Sequence, residues 1–208
     1  NTMNELQLHQ SDQSHGLSNP QSFDHVQRVA KALSSSTVVP KDYQNNVPNT
    51  IVALEMAHRI GCSPMMVMQN MDIIHGKPSW KSTFIIASIN SSKRFDPLQF
   101  EMSGDGDNYG CVAWTRNKHG DVVRGPKVTI GIAKAEGWYQ KTGSKWKTIP
   151  ELMLQYRSAA FFGRLHCPEI LMGMHTADEV IDITPQRPAI IEAVNSKVET
   201  TINLDVPE

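Results

Sequence analysis

The chain has 208 residues, 39% of them apolar, and a formal net charge of −1. That length supports one substantial core, and no apolar run approaches the ~18 residues a membrane-spanning helix needs. The N-terminal residues do not read as a secretory leader, and Cys62, Cys111 and Cys167 are odd in number and widely spaced. Without a Cys-x-x-Cys pair they argue against a disulfide scaffold or a structural zinc, and they fit a reducing, cytoplasmic setting.

In chain order, residues 1–21 are polar and read as a mobile arm. Ser22 is placed to cap a helix from Phe23 to Leu33. A loop follows from Ser34 to Pro48, then a helix from Asn49, its cap, to Ile60, stopped by Gly61. Ser63-Pro64 starts a short third helix. The periodicity then changes. Gln69 to Ile74 reads as a strand, His75 to Pro78 as a turn, and Ser79 as the cap of a helix through Ile89. Pro97–Met102, Tyr109–Asn117 and Val122–Ile132 are three strand candidates separated by turn-rich residues, the pattern of an antiparallel meander. A short helix is expected over Ala133–Trp138. Thr148 and Glu151 have capping-box spacing ahead of a helix to Leu165, and Thr176 and Glu179 have it ahead of a last short helix. These elements predict an α+β fold: a small meander with helices before and after it, in a single domain over 22–183, with 184–208 as a linker or tail.

Charge is unevenly spread. Between Arg116 and Arg164 there are ten Lys or Arg against Asp121, Glu136 and Glu151, a local charge of +7, so the remainder carries −8. Such asymmetry points to a surface that meets a polyanion. In the helix after Pro150, the spacing puts Met153, Arg157, Ala160 and Arg164 on one stripe, and Leu152, Tyr156, Ala159 and Phe162 on a side suited to the core. The two guanidiniums stand about 10.5 Å apart along the axis, each able to grip a phosphate with two hydrogen bonds. The alternative is pairing with acids of a neighbouring helix, such as Glu169 or Asp178. Lys145, Trp146 and Lys147 precede that helix, where free amides favour an anion and an indole can stack on a base; the alternative for Trp146 is a core anchor.

Weaker signals complete the inventory. Asp105 and Asp107 suit a plain turn better than a calcium loop. Glu101, Asp105, Asp107 and Glu136 are the acids a metal-dependent nuclease would draw on, and His166, Cys167 and His175 offer metal-binding side chains, but no spacing specifies either site. No phosphate-binding Gly-rich loop with its Lys is present in the sequence.

Three stretches, GPKVTIGIAKAEGW, GSKWKTIPELMLQYRSAAFFGR and CPEILMGMHTADEVIDI, resemble the phage RecT family of single-strand annealing proteins, and so does LEMAHRIGCSPMMVMQNMDIIHGKPSWKSTFIIASINSS. The resemblance spans about residues 23–183. It implies ATP-independent annealing of complementary DNA strands in phage recombination, without bond-making catalysis. Its implied partners are single-stranded DNA, the annealed duplex, further copies of the chain in a ring or helical filament, a 5′→3′ exonuclease and a single-strand-binding protein. No cofactor is required, and magnesium would act by screening phosphates. The family's DNA-groove positions would fall on Lys134, Lys145, Trp146, Lys147, Arg157 and Arg164, with Lys127 a lesser member; Lys77 and Trp80 would line the same groove or touch a neighbouring subunit. Met65, Met66, Met68 and Met71 are candidate oligomer contacts or core fillers. A non-enzymatic phage protein whose basic strip binds an acidic partner, or a nuclease, are the alternatives.

Overall fold

A computed structural model describes residues 20–184. The expected arm and tail therefore fall outside the described residues, except at their inner edges, where Pro20 and Gln21 already belong to the first helix. The fold is α+β, with one antiparallel hairpin and one four-stranded antiparallel sheet.

Helices α1 (Pro20–Ser34) and α2 (Val47–Ile60) pack together, followed by α3 (Pro64–Asn70). The cap of α2 is Asn46 rather than Asn49: its side chain accepts from the Asn49 amide, so the cap lies three residues before the expected one. Pro48 sits in its first turn, where the missing N–H costs nothing. Gly61, at φ 66°, closes α2 in the left-handed conformation. Ser63 caps α3 through the Met66 amide, as its sequence suggests.

Strands β1 (Met71–Ile74) and β2 (Lys77–Trp80) form a hairpin in register Met71↔Trp80 to Ile74↔Lys77. His75 and Gly76 make a two-residue turn with both φ positive, which matches the twist of the strands. Ser79 is thus a strand residue and not a helix cap. Helix α4 (Ser82–Ser91) starts three residues later with no side-chain cap.

The sheet is built on β4 (Gly110–Arg116). On one side it pairs with β3 (Gln99–Ser103), from Gln99↔Trp114 to Ser103↔Gly110. On the other it pairs with β5 (Val122–Arg124) and then with β6 (Val128–Thr129). The long strand expected over Val122–Ile132 is therefore split, at Gly125-Pro126. Proline cannot donate to a ladder, and Gly125 is where a helix approaches closely: a Cβ there would lie 3.2 Å from that of Phe162. Helix α5 (Ile130–Ala135) begins earlier than the expected Ala133, capped by Thr129 through the Ile132 amide.

After α6 (Lys145–Thr148) comes α7 (Pro150–His166), then α8 (Pro168–Leu171) and α9 (Ala177–Ile183). The box at Thr176 and Glu179 forms reciprocally at α9. The one expected at Thr148 does not: Ile149 occupies the cap position, and Glu151 accepts from the Tyr109 hydroxyl at 2.8 Å instead.

Helix α7 is the spine of the molecule. Ala159 and Phe162 join a core with Tyr43, Met68, Met71, Trp80 and Ile85, while Met153 and Leu154 join a second one with Cys111, Trp138 and Trp146. A helix buried against two clusters lacks one clean apolar stripe. This is why Leu152, assigned to the core, is exposed, whereas Met153, Arg157 and Ala160, assigned to a ligand face, are buried. Met68 and Met71 likewise fill the core and can offer no oligomer contact; of the four methionines Met66 is the exposed one.

Candidate nucleic-acid interface

The sequence-derived site separates into an interior half and a surface half. Arg157, Trp146 and part of Arg164 form the interior half, all directed at α9. Arg157 is 3% exposed. Its Nη2 donates to Asp182 Oδ2 at 2.5 Å, its Nε lies 3.8 Å from Glu179 Oε1, and its guanidinium stacks 3.8 Å over the Trp138 ring. Trp146 is fully buried, and its Nε1 donates to the same Asp182 oxygen at 2.8 Å. Arg164, half-buried, pairs with Glu179 and contacts His175. Pairing with a neighbouring helix is thus what the structure displays, but through Glu179 and Asp182 and not through the Glu169 or Asp178 that the sequence suggested. Arg157 and Trp146 have no surface on which to meet a phosphate or a base and are corrected to structural residues, whereas Arg164 keeps a third of its side chain exposed beside its pair with Glu179.

Burial governs the electrostatics of this cluster. It pushes the Asp182 carboxyl above its usual value, with the Trp146 hydrogen bond and Arg157 opposing, and it lowers the Arg157 guanidinium against the pull of Glu179 and Asp182. Burial would raise Glu179 too, but hydrogen bonds from Arg164 and the Thr176 amide, with the nearby positive charge, hold it below its usual value. The signs differ. The contribution of Glu179 to stability is complete above its unfolded value and is lost as pH falls through the depressed folded one. Protonation of Asp182 is favoured by the fold and runs the other way.

Lysines make up the surface half. Lys127, Lys134, Lys145 and Lys147 are all exposed. The ammonium of Lys127 reaches over Gly104, and Lys134 pairs at 2.5 Å with Asp107 in the same 104–108 turn. Its hydrogen bond to Asp107 raises the Lys134 value, which keeps that lysine charged. Lys134 also lies 5.6 Å from the Tyr139 ring centroid, and Lys147 reaches the neighbouring Gln140 carbonyl at 3.5 Å. Three lysines therefore border one tract, with the half-buried Tyr139 inside it. Lys145 turns toward α9 and pairs with Asp178 at 3.5 Å. Beside it, Lys141 donates to the Ile181 and Thr184 carbonyls at 2.8 and 2.6 Å, at the negative end of α9.

The amides expected to receive an anion ahead of α7 are partly used. Ser144 caps α6 by accepting from the Trp146 amide, and its hydroxyl donates to the Trp138 carbonyl at 2.7 Å. Lys77 is exposed at the hairpin, whereas Trp80 is fully buried and lines no surface. The acids nominated for a nuclease do not converge: Glu101 pairs with Arg124 and Asp107 with Lys134. His166 contacts the Arg124 carbonyl, Cys167 is buried, and among the described residues no three His, Cys, Asp or Glu side chains gather in a way that could hold a metal ion.

Sequence reasoning missed Tyr139 and the anchoring role of Lys141, and it missed Asp182 altogether. The signal for Asp182 was present: Glu179 and Asp182 are three residues apart on a short helix, on one face with the apolar Val180 beside them. Comparison with known families, curated proteins and solved structures gives no significant match to this chain.

Proposed function

We propose that this protein binds single-stranded DNA without sequence preference and anneals complementary strands without ATP, acting as an oligomer in phage-type recombination. The observation that carries the reading is the exposed tract bordered by Lys127, Lys134 and Lys147, with exposed Lys145 beside it toward α9. It lies in a stretch, Lys127 to Lys147, with five lysines and a single acid, Glu136. The resemblance to the RecT family supports the annealing step. Annealing makes no covalent bond. Base pairing and stacking release on the order of 1.4 kcal/mol per step, and the barrier is phosphate repulsion together with strand misalignment. Lysines lower the repulsion, and their point charges are indifferent to base identity. A row of subunits holds the strand extended, since one domain of this size covers few nucleotides. Tyr139 adds a ring beside the lysines for sequence-tolerant stacking.

The test is binding of oligo(dT) and of mixed-sequence single strands across a salt series. Both should bind equally. Four engaged lysines give a log–log salt slope of about −2.8, from about 0.7 per neutralised phosphate. Binding that ignores salt, or that demands one base sequence, overturns the reading.

A further inference from the structure

Two of the four surface lysines are already held by carboxylates of the chain itself, and the two pairs are independent. Asp107 holds Lys134 from the short turn between β3 and β4, and Asp178 holds Lys145 from the first turn of α9. Lys127 and Lys147 have no ion pair among the described residues. Each acid takes one of the three N–H donors of its ammonium and offsets the charge a phosphate would be drawn to. Asp178 is anchored from outside the basic tract, accepting from the Ser82 hydroxyl at 3.1 Å, and the backbone of Asp107 lies against Gly131 at the start of α5. In the second pair the lysine is the freer end, 58% exposed against 16% for Asp178, whereas in the first both ends are exposed, Lys134 at 42% and Asp107 at 64%.

We infer that Asp107 and Asp178 are resident counter-charges that compete with the DNA backbone for Lys134 and Lys145, setting binding below the limit the lysines allow. This rests on the single-strand-binding reading above. Its physical content is competition: a phosphate at Lys134 or Lys145 must displace the carboxylate or share the ammonium with it against like-charge repulsion, so at moderate salt only Lys127 and Lys147 engage at no such cost. Weaker binding suits an annealing protein, because a strand gripped at every phosphate cannot slide into register. Exposed ion pairs are weak enough to be exchanged in this way.

The experiment measures oligo(dT) affinity and salt slope for wild type, Asp107→Asn, Asp178→Asn, and each of these combined with loss of its own lysine, Lys134→Ala or Lys145→Ala. Asparagine keeps the shape and can still accept from Ser82, and thermal melting confirms the fold. Each single Asp→Asn change should tighten binding up to about fivefold at ~0.1 M salt, the scale of one exposed ion pair, with the four phosphate contacts and hence the slope unchanged. The gain should vanish when the partner lysine is alanine. A gain that survives without the lysine is a general charge effect and overturns the inference, as does no gain at all. If wild type shows no salt-dependent binding, the functional reading falls as well; if wild type binds but the variants leave its affinity unchanged, only this inference falls.

Discussion

Replacing Arg157 by alanine should cost about 3–5 kcal/mol of folding stability, because it strands the Asp182 carboxylate in the interior and leaves Glu179 with Arg164 as its one arginine. Against a typical total of about 5–15 kcal/mol, such a loss leaves the variant largely unfolded well below the melting temperature of the wild type. Two further contacts go with it: the stacking on Trp138, and the support that Asp182 gives to the Trp146 indole. Urea denaturation measures the effect. Removing both charges, as Arg157→Met with Asp182→Leu, should cost less than the sum of the single changes, since no buried charge then lacks a partner. An Arg157→Ala protein as stable as wild type, but weak on DNA, would return the arginine to the ligand surface.

The opposite pattern is expected of the lysines. Alanine at Lys127, Lys134, Lys145 and Lys147 together should leave the melting temperature nearly unchanged, because all four side chains are exposed. Four lost phosphate contacts flatten the salt slope by about 2.8, which lowers affinity at ~0.1 M salt by on the order of 10²–10³. Single replacements of Lys127 and Lys147 should each remove about 0.7 from the slope. Fluorescence anisotropy with oligo(dT) reads both quantities. A fourfold variant that binds like wild type would place the DNA surface elsewhere.

The contrast between these variants marks where the sequence was legible. Caps written in local chemistry, such as Ser63-Pro64, Gly61 and the Thr176–Glu179 box, are where the residues indicated, while the turn expected over His75–Pro78 is confined to His75-Gly76, with Lys77 and Pro78 in β2. Misplaced elements are those decided by distant contacts. Thr148 and Glu151 have the spacing of a box, but Tyr109, forty-two positions away, takes the glutamate. Val122 to Ile132 reads as one strand until Phe162 on α7 presses on Gly125. The error over Arg157 has the same origin. Helical periodicity puts Arg157 and Arg164 on one stripe but does not say what faces it, and the answer lies on α9, twenty-five residues further along. The lysines were easier to read, because an ammonium without a deep partner has nowhere to go but the surface.

The central claim is annealing driven by base pairing alone. The most direct measurement mixes two complementary labelled strands with the protein, in chelator and without nucleotide, and follows duplex formation. The account predicts faster annealing than in the absence of protein, with both strands recovered at full length and the acceleration lost in the four-lysine variant. No acceleration, an absolute requirement for ATP, or shortened strands once magnesium is supplied would contradict it.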